Sequence, residues 1–597
     1  MTYRAPVADM LFAMRHIAGL DRLIADGLAP GLEDDMSAAI LEEAAKFAGE
    51  RLAPLNRVGD LQGARFKDGK VTTAPGFRDA YRDWAAGGWN ALTGPVEFGG
   101  QGLPMLIATA CGEMWNAANM AFSLGPLLTF GAIEALAVHG SDELKSIYLA
   151  KLVSGEWMGT MNLTEPQAGS DLSALRSKAE RAADGSYRIT GQKIFITYGE
   201  HDQTDNIIHL VLARLPDAPP GTRGISLFLV PKYLVHPDGS LGEENDVRCH
   251  SIEHKLGIHA SPTCTMVYGD KGGATGFLIG EENRGLACMF TMMNNARLNV
   301  GSQGVAIAER ATQQALAYAQ ERRQGRAPGQ KSEGMSPIAE QPDVRRMLAT
   351  MRGYTQAARA LCFLTAEAID RSHRSPDAAA RLAASERAAI LTPIAKAFAT
   401  DIGVEVASLG VQVHGGMGFI EETGAAQHLR DARIAPIYEG TNGIQAIDLV
   451  TRKLPLSDGQ AVAALISGMR ATQQKLVGIN NPAFGQMAAR LRDAVEALDR
   501  ATQYMLATVK AGSPDALAGA APYLRLFGIT QGTAALAETA LAAQAAIGQG
   551  DSDPAQAARI ALARFFAENI ATGAGGLETT VTAGAAALQD ASLALAS

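Results

Sequence analysis

The chain of 597 residues is 47% apolar and 19% charged, ordinary globular usage that excludes intrinsic disorder and, at roughly 150 residues per domain, leaves room for about four units. Its net charge of −9 comes from 53 basic and 62 acidic residues spread without long runs, so it lacks the basic field that nucleic-acid binding requires. A polyanion would have to be held by local Lys, Arg and backbone N–H groups.

In chain order, the first segment carries Arg4, Asp9 and Arg15 where a secretory signal needs an unbroken apolar stretch, and no export signal is expected. Apolar residues recur at helical spacing from Asp34 to Pro54, from Gly76 to Ala86 and from Leu106 to Val138. The longest uncharged stretch lies between Glu113 and Glu134. Asn116, Asn119, Ser123, Gly125 and Pro126 interrupt it, which predicts a buried helix pair and no integral membrane segment. Between Tyr187 and Tyr268 the texture changes to short β-prone runs, Arg188–Thr190, Lys193–Thr197, Asn206–Ala213 and Ile225–Val230, with turn clusters such as Ala183–Ser186 and Asp217–Gly221 among them. A β domain is expected there.

Past Gly285 the helical period returns. Val305, Ala308, Ala311, Ala315 and Ala319 mark one stripe; Ile394, Phe398, Ile402, Val406, Leu409 and Val413 mark a second, which the pair Gly415-Gly416 should close. From about Leu456 the chain is alanine-rich and reads as an appended helical domain with no visible chemistry. The five cysteines are odd in number and form no C-x-x-C pair, which argues against a zinc or redox site and fits a reducing, cytoplasmic setting.

Three segments put uncommon residues in loops at the edges of these units. Met161 to Asp171 (M-N-L-T-E-P-Q-A-G-S-D) has small residues that let a flat ligand approach the backbone, although a turn with a helix cap accounts for Thr164-Glu165-Pro166 as well. Gln412 to Phe419 (Q-V-H-G-G-M-G-F) can bring N–H groups against a phosphate or a ring system, or can simply stop a helix. Arg430 to Gln445 contains Tyr438-Glu439-Gly440-Thr441, a carboxylate between an aromatic residue and a glycine. In an apolar pocket such a group rises toward the pKa needed to take a carbon-bound proton; in solvent it does nothing.

The order of these segments resembles that of the acyl-CoA dehydrogenase family, over about Asp34 to Leu454. The family's T-E-P-x-A-G-S-D, a W-I-T-like strand, an E-R pair closing a long helix, Q-x-x-G-G-x-G and Y-E-G-T are met in turn. The resemblance implies an α+β, mainly α fold: an N-terminal extension (1–33), a helical domain (34–158), a middle β domain (159–285), a C-terminal four-helix bundle (286–455) and the appended helices (456–597). It implies FAD as cofactor, an acyl-CoA substrate, an electron-transfer flavoprotein as partner and a homodimer or larger homo-oligomer. Leu163, Thr164, Gly169, Ser170, Ile196, Thr197 and Thr441 would contact the flavin, and Arg322, Gln412 and Gly416 would reach the pyrophosphate of a neighbouring subunit's flavin. Ser170, Asn294, Arg297 and Gly440 would meet the substrate, and Glu439 would be the catalytic base.

The chain departs from the family pattern at four places: Phe195 stands where Trp is frequent, Asn294 where an acid is usual, Gly325 in place of a phenylalanine, and His259 where other branches have arginine. The two terminal extensions resemble a subgroup that includes 3-methylmercaptopropionyl-CoA dehydrogenases and enzymes of fatty acyl-CoA. An acyl-CoA oxidase, or a non-catalytic assembly or CoA-binding protein of the same fold, would share these motifs.

Overall fold

The structure, a computed structural model, describes residues 3–329 and 333–595, without the side chains of Asp34 and Asn294. Helices at Asp34–Phe47, Ala53–Gln62 and Phe77–Ala86 lead into α1 (Met105–His139), as the apolar periodicity predicts. A short hairpin, Arg65–Lys67 with Lys70–Thr72, interrupts them. By length and composition α1 could cross a membrane, but 78% of its apolar window is buried inside the protein. It is in effect two helices: Asn119 leaves helical geometry (φ −161°, ψ 89°), and its Oδ1 accepts the Phe122 N–H at 3.1 Å, capping the second half.

The middle sheet has eight strands: β1 (Met158–Asn162), β2 (Lys178–Arg181), β3 (Tyr187–Thr197), β4 (Ile207–Arg214), β5 (Ile225–Pro231), β6 (Val247–Ile252), β7 (Thr263–Tyr268) and β8 (Ala274–Ile279). The order is β6-β7-β3-β8-β5-β4-β1, with β2 against β3 and β4. The sheet is antiparallel except where β1 and β2 run parallel to β4, β1 placing Met158 opposite Ile207. The runs Arg188–Thr190 and Lys193–Thr197 are one strand, joined through Gly191 (φ 140°), where a Cβ would lie 2.5 Å from Ser177 Oγ.

The bundle is formed by α2 (Gly285–Glu321), α3 (Pro342–Arg374) and α4 (Ala378–His414) packed with α1. Both apolar stripes read from sequence face the core, except that Leu409 is only partly buried. The helices α2 and α4 run parallel and very close: a Cβ on Gly304 would sit 2.2 Å from Ala399 O. That closeness brings Arg297 on α2 and Lys396 on α4 near a single loop. The last 140 or so residues are helical, and α6 (Ala520–Gly548) of that region lies against the back of α3 and α4. There Arg525 pairs with Glu405 at 2.7 and 2.8 Å.

The extension before residue 34 packs on the bundle, with Asp9 receiving Arg352 at 2.6 Å and Arg559 at 2.9 Å. His259 ties the middle domain to the N-terminal helices. Its ring nitrogens lie 2.9 Å from Asp60 O and 3.0 Å from Lys255 O.

Candidate active site

Pro436 and Gly440 prevent a helix from continuing through residues 436–441, and the segment folds into a tight turn closed by Asn442 N–H on Pro436 O (3.0 Å). Thr441 starts the helix α5 (Asn442–Asp448), its Oγ1 accepting the Ile444 N–H at 3.2 Å. Within the turn Glu439 and Gly440 are both left-handed, at φ 57° and 82°. Such a conformation is costly for a residue with a Cβ and persists only where its surroundings enforce it. Here Gln445 Nε2 donates to Glu439 O (3.2 Å) and Gly440 O (3.4 Å), and Lys396 Nζ donates to Gly440 O (2.7 Å). The carbonyls are thus drawn inward. The N–H groups of Glu439 and Gly440 donate to nothing among the described residues.

The Glu439 side chain is half-buried, and its carboxylate accepts no hydrogen bond among the described residues. Burial pushes its pKa up to about 7, against the charges of Arg297 and Lys396, which favour the anion. Arg297 is 6% exposed, 3.5 Å from Asp448 of α5, with its Nε unpartnered. The neighbouring Tyr438 hydroxyl donates to Gln303 Oε1. A carboxylate near neutrality, held by electrostatics without direct bonds, can take up a proton.

A narrow cleft, with about 460 Å³ of non-atom space that includes open solvent, runs between α1 and α2. Trp84, Trp115 and Phe130 give it an aromatic lining; Asn295 and Asn299, which bracket Arg297, bound it on α2. Two buried polar atoms of its lining residues, Trp115 Nε1 and Asn116 Oδ1, have no partner among the described residues. The middle domain meets the same stretch of α1, with Tyr198 OH donating to Ala121 O at 2.8 Å.

The loop after β1 is held from beneath by a buried ion pair. Lys193 Nζ donates to Glu165 Oε1 (2.8 Å) and Leu163 O (3.0 Å), while Ile194 N–H reaches Thr164 O (2.9 Å). Burial alone would raise the Glu165 carboxyl, but Lys193, Ser177 and the Arg176 N–H bring it down to about 2. The rim, Gly169 and Ser170, is exposed, and a Cβ on Gly169 would meet nothing within 4 Å.

Four stretches match the domains of one family: residues 34–156 the acyl-CoA dehydrogenase N-terminal domain, 160–270 its middle domain, 283–454 its C-terminal domain, and 462–592 the acetyl-CoA dehydrogenase C-terminal-like domain. The chain belongs to the acyl-CoA dehydrogenase family. It is 48% identical over 570 residues, 96% of each chain, to 3-methylmercaptopropionyl-CoA dehydrogenase of Ruegeria pomeroyi. It is 35% identical to a butyryl-CoA dehydrogenase of Syntrophomonas wolfei, over 83% of this chain and 82% of that one. Its fold matches the structure of Caenorhabditis elegans ACDH-11 in complex with C11-CoA at a TM-score of 0.76, covering 95% and 91% of the two chains at 19% identity.

Family membership makes this an FAD-dependent dehydrogenase with the fold expected from sequence. The residues fit a flavin: an open backbone at Gly169, half-buried Leu163, Thr164 and Thr197, and the exposed ring of Phe195 (59%, φ 60°). Ile196 differs from its neighbours. Ile196 is 2% exposed with its side chain in the sheet core, because left-handed Phe195 (φ 60°) and a register shift between Lys193 and Ile196 break the strand alternation and turn Ile196 inward. Its backbone alone is available, and that backbone is paired with Cys264. Thr441 spends one Oγ lone pair as a helix cap, which leaves its O–H and a second lone pair to offer.

Arg322, Gln412 and Gly416 do not join Glu439 within one chain. Arg297 and Arg322 lie on, and just past, the same helix, about 37 Å apart at the ~1.5 Å rise per residue of an α-helix. Because α2 and α4 are parallel, the Gln412–Phe419 segment ends beside Arg322, where Tyr318 stacks on His414 at 4.5 Å. All three residues are exposed. Asn294 sits on α2, and its side chain lies outside the described residues.

No sequence motif marks Lys396, Asn442, Gln445 or Gln303 as parts of the site. Each sits on a helix at an otherwise ordinary position. The one available signal was a lysine amid the apolar run Ile394-Ala395-Lys396-Ala397-Phe398, at a core-facing register.

Proposed function

We propose that the protein oxidises a short- or medium-chain acyl-CoA, with 3-methylmercaptopropionyl-CoA the preferred substrate, to the trans-2-enoyl-CoA, with Glu439 removing the α proton. The observation that carries the role of Glu439 is the turn itself: a strained, half-buried carboxylate near neutrality with two cations acting on it and no hydrogen bond of its own. The unpartnered N–H of Glu439 is free to bind the thioester oxygen and stabilise the developing enolate. Arg297, beside Glu439, orients and charges the site from the opposite helix. Gly440 leaves the backbone accessible, and Ser170 and Asn294 border the CoA path.

FAD bound along Leu163, Thr164, Gly169, Ser170, Thr197 and Thr441 supplies the acceptor for the hydride that leaves the β carbon, and an electron-transfer flavoprotein takes the electrons onward. Arg322, Gln412 and Gly416 would hold the flavin pyrophosphate of a second copy of the chain. In support, Leu316, Met335, Met417, Phe419 and Ile420 form an exposed apolar patch at that end, with Phe419 86% exposed. The substrate choice rests on the 48% identical relative of that name and on the aromatic cleft, since a thioether sulfur packs well against aromatic rings.

The deciding experiment is anaerobic flavin bleaching by a panel of acyl-CoAs that includes the methylthio-propionyl ester. The wild type should bleach fastest with that ester. Glu439→Gln should keep its FAD and lose on the order of a thousandfold in rate. Normal bleaching by that variant would refute the assignment of Glu439; stoichiometric peroxide in air would make oxygen the acceptor.

A further inference from the structure

Lys396 lies in the middle of α4, fully buried, and touches the Glu439 turn only through the turn's backbone and Asn442. A buried ammonium costs several kcal/mol unless its charge and donors are matched. Its donors are matched by Gly440 O at 2.7 Å and Asn442 Oδ1 at 2.9 Å. Asn442 is in turn locked to α4, its Nδ2 donating to Asp401 Oδ1 (2.7 Å), Thr400 Oγ1 (3.0 Å) and Ala397 O (3.1 Å). Neither acceptor of the lysine is charged. The anions that act on it are Glu439 first and Asp401 second.

Among the described residues, the charged groups that act on Glu439, Lys396 and Arg297 come from three helices. From α2 comes Arg297, and Gln303 of α2 bonds the neutral Tyr438 of the turn; from α4 come Lys396 and Asp401; from α5 comes Asp448, shared by Arg297 and Arg452. Asp448 draws on Arg297, which leaves Lys396 as the cation bonded directly to the turn that carries Glu439.

We propose that Lys396 is the positioning residue for proton abstraction: bonded to Gly440 O and Asn442, it holds the Glu439–Gly440 turn in its left-handed form and sets a cation behind the carboxylate. This rests on Glu439 being the base. Burial lowers the lysine to about 7 and raises Glu439 to about 7, and each charge opposes the shift of the other. Removing the cation therefore lets the carboxyl rise further.

The test compares FAD-loaded wild type, Lys396→Met and Lys396→Arg by anaerobic stopped-flow bleaching between pH 5.5 and 9. Lys396→Met should retain FAD and bind acyl-CoA within about threefold of wild type, yet bleach about tenfold more slowly at pH 7. The ascending limb of its rate–pH profile should move up by about one unit, and Lys396→Arg, which keeps a cation, should bring that limb back. A methionine variant with the wild-type limb and rate overturns the proposal. So does loss of FAD by both variants, which would make the lysine purely structural. Glu439→Gln run alongside separates the two readings: if it bleaches normally, the base is misassigned whatever Lys396 does.

Discussion

Two glutamates in the helical bundle show what decides the use of a buried carboxylate. Glu309, in the middle of α2, is fully buried and accepts from Arg359 (2.8 Å), Arg352 (3.1 Å) and Gln313 (2.9 Å); Arg359 also grips Glu113 of α1 at 2.6 Å. Burial alone would raise Glu309, but the two arginines overcome it and leave the carboxyl at about 2. Glu439 keeps partial contact with solvent and has two cations nearby, yet no donor touches it, and it stays near 7. Two arginines in contact with the Glu309 carboxylate lower it chiefly by their charge, whereas the cations near Glu439 bond to neither of its oxygens and leave it able to take a proton. The backbone differs in the same sense: Glu309 sits in regular helix, Glu439 in a left-handed turn held from outside.

The contrast can be broken most strongly at Arg359. Arg359→Met strands Glu113 and lengthens the reach to Glu309, and should cost about 3–5 kcal/mol, read as a lower melting temperature. The bleaching rate per bound FAD should stay within about threefold, since no atom of that network touches the Glu439 turn.

At Glu439 the sign reverses. Its folded pKa lies above the unfolded value, so ionisation costs stability progressively as pH rises from about 4.5 through about 7. Glu439→Gln should melt together with wild type at pH 4.5 and above it at pH 8, by about 1–2 kcal/mol after allowance for solvent contact. A variant less stable than wild type at pH 8 would mean that the carboxylate stabilises the fold. The smallest effect is expected at Arg452, which is exposed although it touches Asp448: Arg452→Ala should change stability by no more than about 0.5 kcal/mol.

Much of the fold was legible because its signals are local. The stripes of α2 and α4 repeat every three or four residues, and the sheet strands alternate or run apolar between turn clusters. The break in α1 was visible as Asn119, though its capping role was not. Site residues were legible where they form contiguous motifs in loops, as in Tyr438–Thr441 and Leu163–Ser170. The burial of Ile196 was not legible, because a motif names residues without saying which face of the strand each one takes, and the bulge at Phe195 turns its side chain inward. Lys396 was hidden for the opposite reason: its partners, Gly440 and Asn442, are more than forty residues away in sequence.

By itself the sequence determined the family, the order of helical and β units, and the residue type at the presumptive base, because propensity, periodicity and short motifs act through neighbours along the chain. Tertiary structure alone decided the state of Glu439. Its conformation depends on a lysine and a glutamine from two different helices, its charge on the close packing of α2 and α4, and the distance of Arg322 from Glu439 on the length of one helix. Those are distances through space between residues remote in the chain, and only the packed fold sets them.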